Sequence, residues 1–124
     1  AFDAADLQSR VANGEPVLVN MTAAWCITCL ANERVALGTD AVQAALRDQG
    51  VTYIKGDWTR RDEAITRYLA QFQRTGVPLY VLYPGGTSTP QVLPQLLTPA
   101  IVLDALASVE NPRRRGDPTG DNSW

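Results

Sequence analysis

Histidine is absent from this sequence, and cysteine occurs only twice. Structural zinc takes about four cysteine or histidine ligands, so the two thiols make a poor metal site. A Cu(I) site built from the thiolates alone stays open as an alternative. Two cysteines also fall short of the multi-bridge framework that holds small secreted scaffolds together. No uncharged run reaches the ~20 apolar residues of a membrane-spanning helix. The longest such run, 16–32, is interrupted by Asn20, Thr22 and Thr28. A large excess of one charge is missing too, and a net charge of −2 gives no general attraction to nucleic acid. The first residues lack a charged segment followed by an apolar run, so no secretory leader is expected in them.

What is present reads as one globular domain. The chain has 124 residues, of which 45% are hydrophobic and 19% charged, enough to bury a core unaided. Leu7 and Val11, four apart, mark a short helix over Ala4–Ala12, closed by Asn13-Gly14. Val17–Thr22 is too continuously apolar for an exposed edge and predicts a buried strand, with a helix following it to about Leu37. Asp40 is expected to cap the next helix, which Gly50 ends. Val51–Asp57 predicts a second strand, and Thr59 is expected to cap a helix running to about Arg74. That helix carries Ile65, Tyr68, Leu69 and Phe72 as one buried stripe. Val77–Tyr83 predicts a third strand, followed by a turn and a short edge strand within 91–96, where Pro94 cannot donate a ladder hydrogen bond. Thr98-Pro99 starts a last helix to about Val109. This order implies an α/β fold, with a central mixed sheet of about four strands flanked by helices on both faces. Residues 1–110 form the domain in this reading, and 111–124, without apolar periodicity, form a flexible tail.

The chemistry concentrates in Ala24-Trp25-Cys26-Ile27-Thr28-Cys29. A Cys-x-x-Cys that opens a helix directly after a strand places Cys26 at the helix N-terminus. Free backbone N–H groups and the positive end of the helix dipole there favour thiolate over thiol. Cys29 lies on the same helical face, close enough to close a small ring with Cys26. Such a pair can attack a partner disulfide and then resolve the mixed disulfide. The alternatives are a structural bridge or two inert core thiols, but a loop this short removes little unfolded-state entropy. Pro78 at a strand start is unusual, and either a cis peptide before it or a plain trans proline would account for it. Trp25 either belongs to an apolar docking surface or is buried. Glu33, four residues after Cys29, shares its helix face and could oppose thiolate formation or relay a proton. An ordinary solvent-facing glutamate is the competing reading.

The stretches "PVLVNMTAAWCITC" and "TGVPLYVLY", with the last helix, resemble the thioredoxin superfamily over residues 4–110. "WCITCLANE", "GDWT" and "GVPLYVLYPGG" look most like the C-terminal periplasmic domain of the bacterial membrane protein DsbD and its relatives. The resemblance implies a thiol-disulfide oxidoreductase that takes electrons from a membrane-embedded cysteine pair and passes them to a periplasmic acceptor domain. It implies Cys26 as nucleophile, Cys29 as resolving cysteine, Pro78 as the cis-proline and Glu33 as an acidic modulator of the thiols. Trp25, Ile27, Thr28, Val77 and Pro78 are the implied partner-binding positions. No cofactor beyond the Cys26–Cys29 pair is expected, no metal, no nucleic acid, and a monomer. Asn20 departs from the family, which usually has a buried aspartate there. A free-standing thioredoxin-like reductant, a non-catalytic binding module on the same fold and a metallochaperone are the rival readings.

Overall fold

The computed structural model describes residues 2–86 and 89–109, so the expected tail, 111–124, lies outside the described residues. Helix α1, Ala4–Ala12, begins at Asp3, whose carboxylate accepts from Ala5 N–H and Asp6 N–H. Strand β1, Val17–Thr22, is buried along its whole length. The chain continues through α2 (Ile27–Asn32), a π-helical turn (Glu33–Leu37) and α3 (Asp40–Asp48) into β2 (Thr52–Asp57). Helix α4 (Glu63–Gln71), β3 (Leu79–Tyr83), β4 (Gln91–Val92) and α5 (Pro99–Leu106) complete the order.

The sheet runs β2-β1-β3-β4, with β1 parallel to β2 and β3 antiparallel to both β1 and β4. The parallel β1–β2 pair is joined by the α2–α3 crossover, as parallel neighbours require. Side chains of β1 alternate between the two faces. Val17, Val19 and Met21 pack with Leu79 and Val81 of β3 against Leu7 of α1 and Ile65, Tyr68 and Leu69 of α4. Leu18 packs with Tyr80 and Leu82 on the opposite face, against the π-helical turn, α3 and α5. Asn20 and Thr22 follow Leu18 by alternation, so β1 delivers polar side chains to the layer below α2.

Several element ends differ from the sequence expectation, each for a local reason. Thr39, not Asp40, caps α3, because its hydroxyl accepts from Val42 N–H. Asp62, not Thr59, caps α4 by accepting from Ile65 N–H, and α4 stops at Gln71, where Gln73 turns to a positive φ of 57°. The last helix ends at Leu106, and the edge strand is only Gln91–Val92, with Pro94 outside it. The helix after the cysteines widens at Glu33. Gly38 N–H reaches back five residues to Glu33 C=O at 2.6 Å, and a Cβ at Gly38 would stand equally close to that oxygen.

Candidate active site

The loop Ala23–Trp25 leaves β1 and turns directly into α2. Ala23 C=O accepts from Cys26 N–H at 3.1 Å, and Cys26 adopts an extended backbone, as a helix cap does. The capping acceptor is sulfur: Cys26 Sγ receives Cys29 N–H at 3.1 Å, while Cys26 C=O receives Leu30 N–H. The two cysteines form a disulfide with a Cα–Cα distance of 5.2 Å. Both cysteines are buried, but not equally: Cys26 keeps 7% of its surface and Cys29 none. The N–H that caps onto Cys26 would also hold a negative charge on its sulfur once the bond is reduced.

Ala23, Cys26 and Cys29 form a small buried cluster, and Val77 packs onto it from the loop before β3. The Val77–Pro78 peptide is cis, Pro78 is buried, and its carbonyl accepts from Arg74 Nη1 at 3.2 Å. Val77-Pro78 and the cysteine pair, fifty residues apart in sequence, are thus brought to one place. Around them lies an apolar rim: Trp25 is 48% exposed, Ile27 81% and Leu30 44%, whereas Thr28 is half-buried.

Trp25 is exposed yet held. Its indole Nε1–H donates to Thr59 C=O at 3.0 Å, and Ala24 N–H donates to the Thr59 hydroxyl at 2.7 Å. That hydroxyl donates to Asp57 Oδ1, which also receives Thr59 N–H at 2.9 Å. These hydrogen bonds from Thr59 hold the Asp57 carboxyl below the usual range. The stretch after β2 is therefore a latch on the cysteine loop. "GDWT" was the signal for it, but a threonine before a helix suggested a cap instead.

Below α2 lies a polar layer. Asn20 is fully buried, and its Nδ2 donates to Tyr53 Oη at 2.8 Å, while its Oδ1 has no hydrogen-bond partner among the described residues. Glu33 is half-buried and turns its carboxylate to Lys55, with Nζ 3.3 Å from Oε1 and 3.2 Å from Oε2. The pair lines a cleft of about 380 Å³ with Ala23, Ala24 and Leu30, alongside the cysteine loop. Glu33 is thus neither freely solvated nor alone, and Lys55, directly beside Asn20 in the sheet, is the partner that sequence reading missed.

Asn32, the last residue of α2, was missed as well. It is 2% exposed; its Nδ2 donates to Tyr80 Oη at 2.8 Å and to Gln95 C=O at 2.7 Å, and its Oδ1 accepts from Leu97 N–H at 3.0 Å. Burial pushes the Tyr80 phenol up to about 12, so it stays neutral within this contact. Among the described residues no group of three or more Cys, Asp or Glu side chains could hold a metal ion, and no helix is long and apolar enough to cross a membrane.

The molecule shares its architecture with known structures. The reduced C-terminal domain of DsbD from Neisseria meningitidis superposes with a TM-score of 0.67 at 16% identity, covering 87% of this chain and 97% of that one. The oxidised form of the same domain gives 0.64 at 18% identity, over the same shares of the two chains. A thioredoxin from Thermus thermophilus gives 0.66 at 16% identity, over 99% of this chain and 96% of that one. At such identities the likeness is one of fold. No curated protein sequence matches. The profile described as thioredoxin-like matches residues 2–85, more than half of the sequence, and with the mixed four-stranded sheet and its helix-opening cysteine pair it carries the assignment: this chain belongs to the thioredoxin-like family.

Proposed function

We propose that this chain is a thiol-disulfide oxidoreductase that reduces protein disulfides through Cys26 and Cys29. One observation carries the reading: Cys26, which keeps 7% of its surface where Cys29 keeps none, is the residue whose sulfur caps α2 and accepts Cys29 N–H. In the reduced chain the Cys26 thiolate attacks a partner disulfide. A bond forms between Cys26 and one partner sulfur, and the other leaves as a thiolate that takes a proton. Cys29, deprotonated in turn, attacks Cys26 Sγ and releases the second partner thiol. The chain loses two electrons and two protons, the partner gains both, and no cofactor enters. Val77 and Pro78 form the wall against which the partner chain lies, and Trp25, Ile27 and Thr28 form the rim it covers.

The resemblance to DsbD supports a finer reading. In that reading a membrane-embedded cysteine pair re-reduces the Cys26–Cys29 disulfide, a periplasmic acceptor domain receives the electrons, and the domain works in the periplasm as part of an inner-membrane protein. The test is equilibration in graded thiol–disulfide buffers with free thiols counted by mass. A reversible two-electron transition between roughly −180 and −270 mV is the expected result. A pair still oxidised below about −300 mV behaves as a structural bridge and overturns the proposal. A Cys29→Ala variant should then accumulate a mixed disulfide through Cys26 with the acceptor domain, and failure to trap it would remove the relay.

A further inference from the structure

We infer that Arg61 selects the protein partner, favouring one that carries a carboxylate next to its reacting disulfide. The inference rests on the oxidoreductase reading above and adds a specificity determinant to the same site. Arg61 sits at a positive φ of 54°, a left-handed backbone that costs a non-glycine residue energy and persists only where its surroundings hold it. Its N–H donates to Trp58 C=O at 2.8 Å, which closes the turn. The side chain that this turn projects lies in the angle between two indoles. Arg61 Cζ is 5.0 Å from the ring centroids of both Trp25 and Trp58, and the two rings are 5.9 Å apart and inclined by 54°. Both contacts are within cation–π range, so the guanidinium is held over the rim although Arg61 itself is exposed.

Its charge is otherwise unspent. Among the described residues no carboxylate forms an ion pair with Arg61. Asp57, the acid of the same loop, is engaged by Thr59, and the cations acting on it are Lys55 and Arg60. Trp25, the ring under the guanidinium, immediately precedes Cys26 and belongs to the rim around the disulfide, so the charge stands on that rim. Exposed Ile27 and Leu30 offer contact to any apolar partner and do not discriminate. The fixed cation does: it pairs with a carboxylate flanking the partner's disulfide and opposes a basic residue there.

The test uses two synthetic disulfide peptides that differ only in Glu or Gln next to one cysteine, reduced by the chain after its own pair has been reduced. Wild type should act on the Glu peptide about two to five times faster, as a partly exposed charge pair allows, and the preference should collapse near 1 M salt. Arg61→Gln should bring the two rates together, and Arg61→Lys should keep most of the ratio. The potential of the Cys26–Cys29 pair in each variant shows whether the loop still supports the site. An unchanged ratio in Arg61→Gln, or no preference in wild type, overturns the inference while leaving the oxidoreductase reading intact. Wild type that reduces neither peptide overturns both.

Discussion

Replacing Asn32 by alanine should destabilise the fold more than any change at the apolar rim. The side chain is almost wholly buried and makes three hydrogen bonds, to Tyr80 Oη, Gln95 C=O and Leu97 N–H, joining α2 to residues 48 to 65 positions away. Each bond contributes about 1 kcal/mol net, and a buried Leu97 N–H left without an acceptor adds to the loss, so the expected cost is about 3–4 kcal/mol. A domain of this size has about 5–15 kcal/mol in all. At ~4 °C per kcal/mol the loss corresponds to a Tm lower by about 12–16 °C. Urea denaturation monitored by circular dichroism should show a lower midpoint with an unchanged slope. A loss under about 1 kcal/mol would refute the reasoning, because the three contacts would then be replaceable by water. Asn32→Asp sharpens the test: its carboxylate can still accept from Leu97 N–H but faces Gln95 C=O. The fold should hold that carboxyl above its unfolded value, so this variant should be more stable at acidic pH and lose stability as pH rises through the folded value.

The remaining predictions concern the site. Glu33→Gln should lower the pKa of the more perturbed thiol in the reduced chain, because it removes a nearby negative charge, read from thiolate ultraviolet absorbance. Lys55→Met should raise it, because it leaves the Glu33 charge unopposed; identical titrations in all three proteins would remove this pair from thiol control. Asp57, held below the usual carboxylate range chiefly by Thr59, should support the latch at neutral pH and release it as pH falls through that lowered value. In Thr59→Val the Asp57 carboxyl followed by NMR should titrate closer to its ordinary value, and an unmoved midpoint would show that Thr59 does not hold it.

Where local rules act, the sequence was sufficient. Continuous apolar residues announced β1, Ile65, Tyr68 and Leu69 announced the buried face of α4, and a Cys-x-x-Cys between strand and helix announced a sulfur at a helix start. Each depends on neighbours within about four positions, which a reader of the chain can count. Competing local signals blurred the boundaries: Thr39 and Asp40, or Thr59 and Asp62, are all good caps, and only the observed hydrogen bonds choose between them. The functional refinements were settled by tertiary structure. The cover on the cysteine cluster depends on Val77 arriving from fifty residues away, and the pairing of Glu33 depends on β2 lying parallel to β1 and presenting Lys55 beside Asn20. The anchoring of α2 by Asn32, and the seating of Arg61 between Trp25 and Trp58, likewise join distant segments. Polar side chains commit to whichever donor, acceptor or ring the folded chain brings within reach, and sequence spacing does not determine that distance.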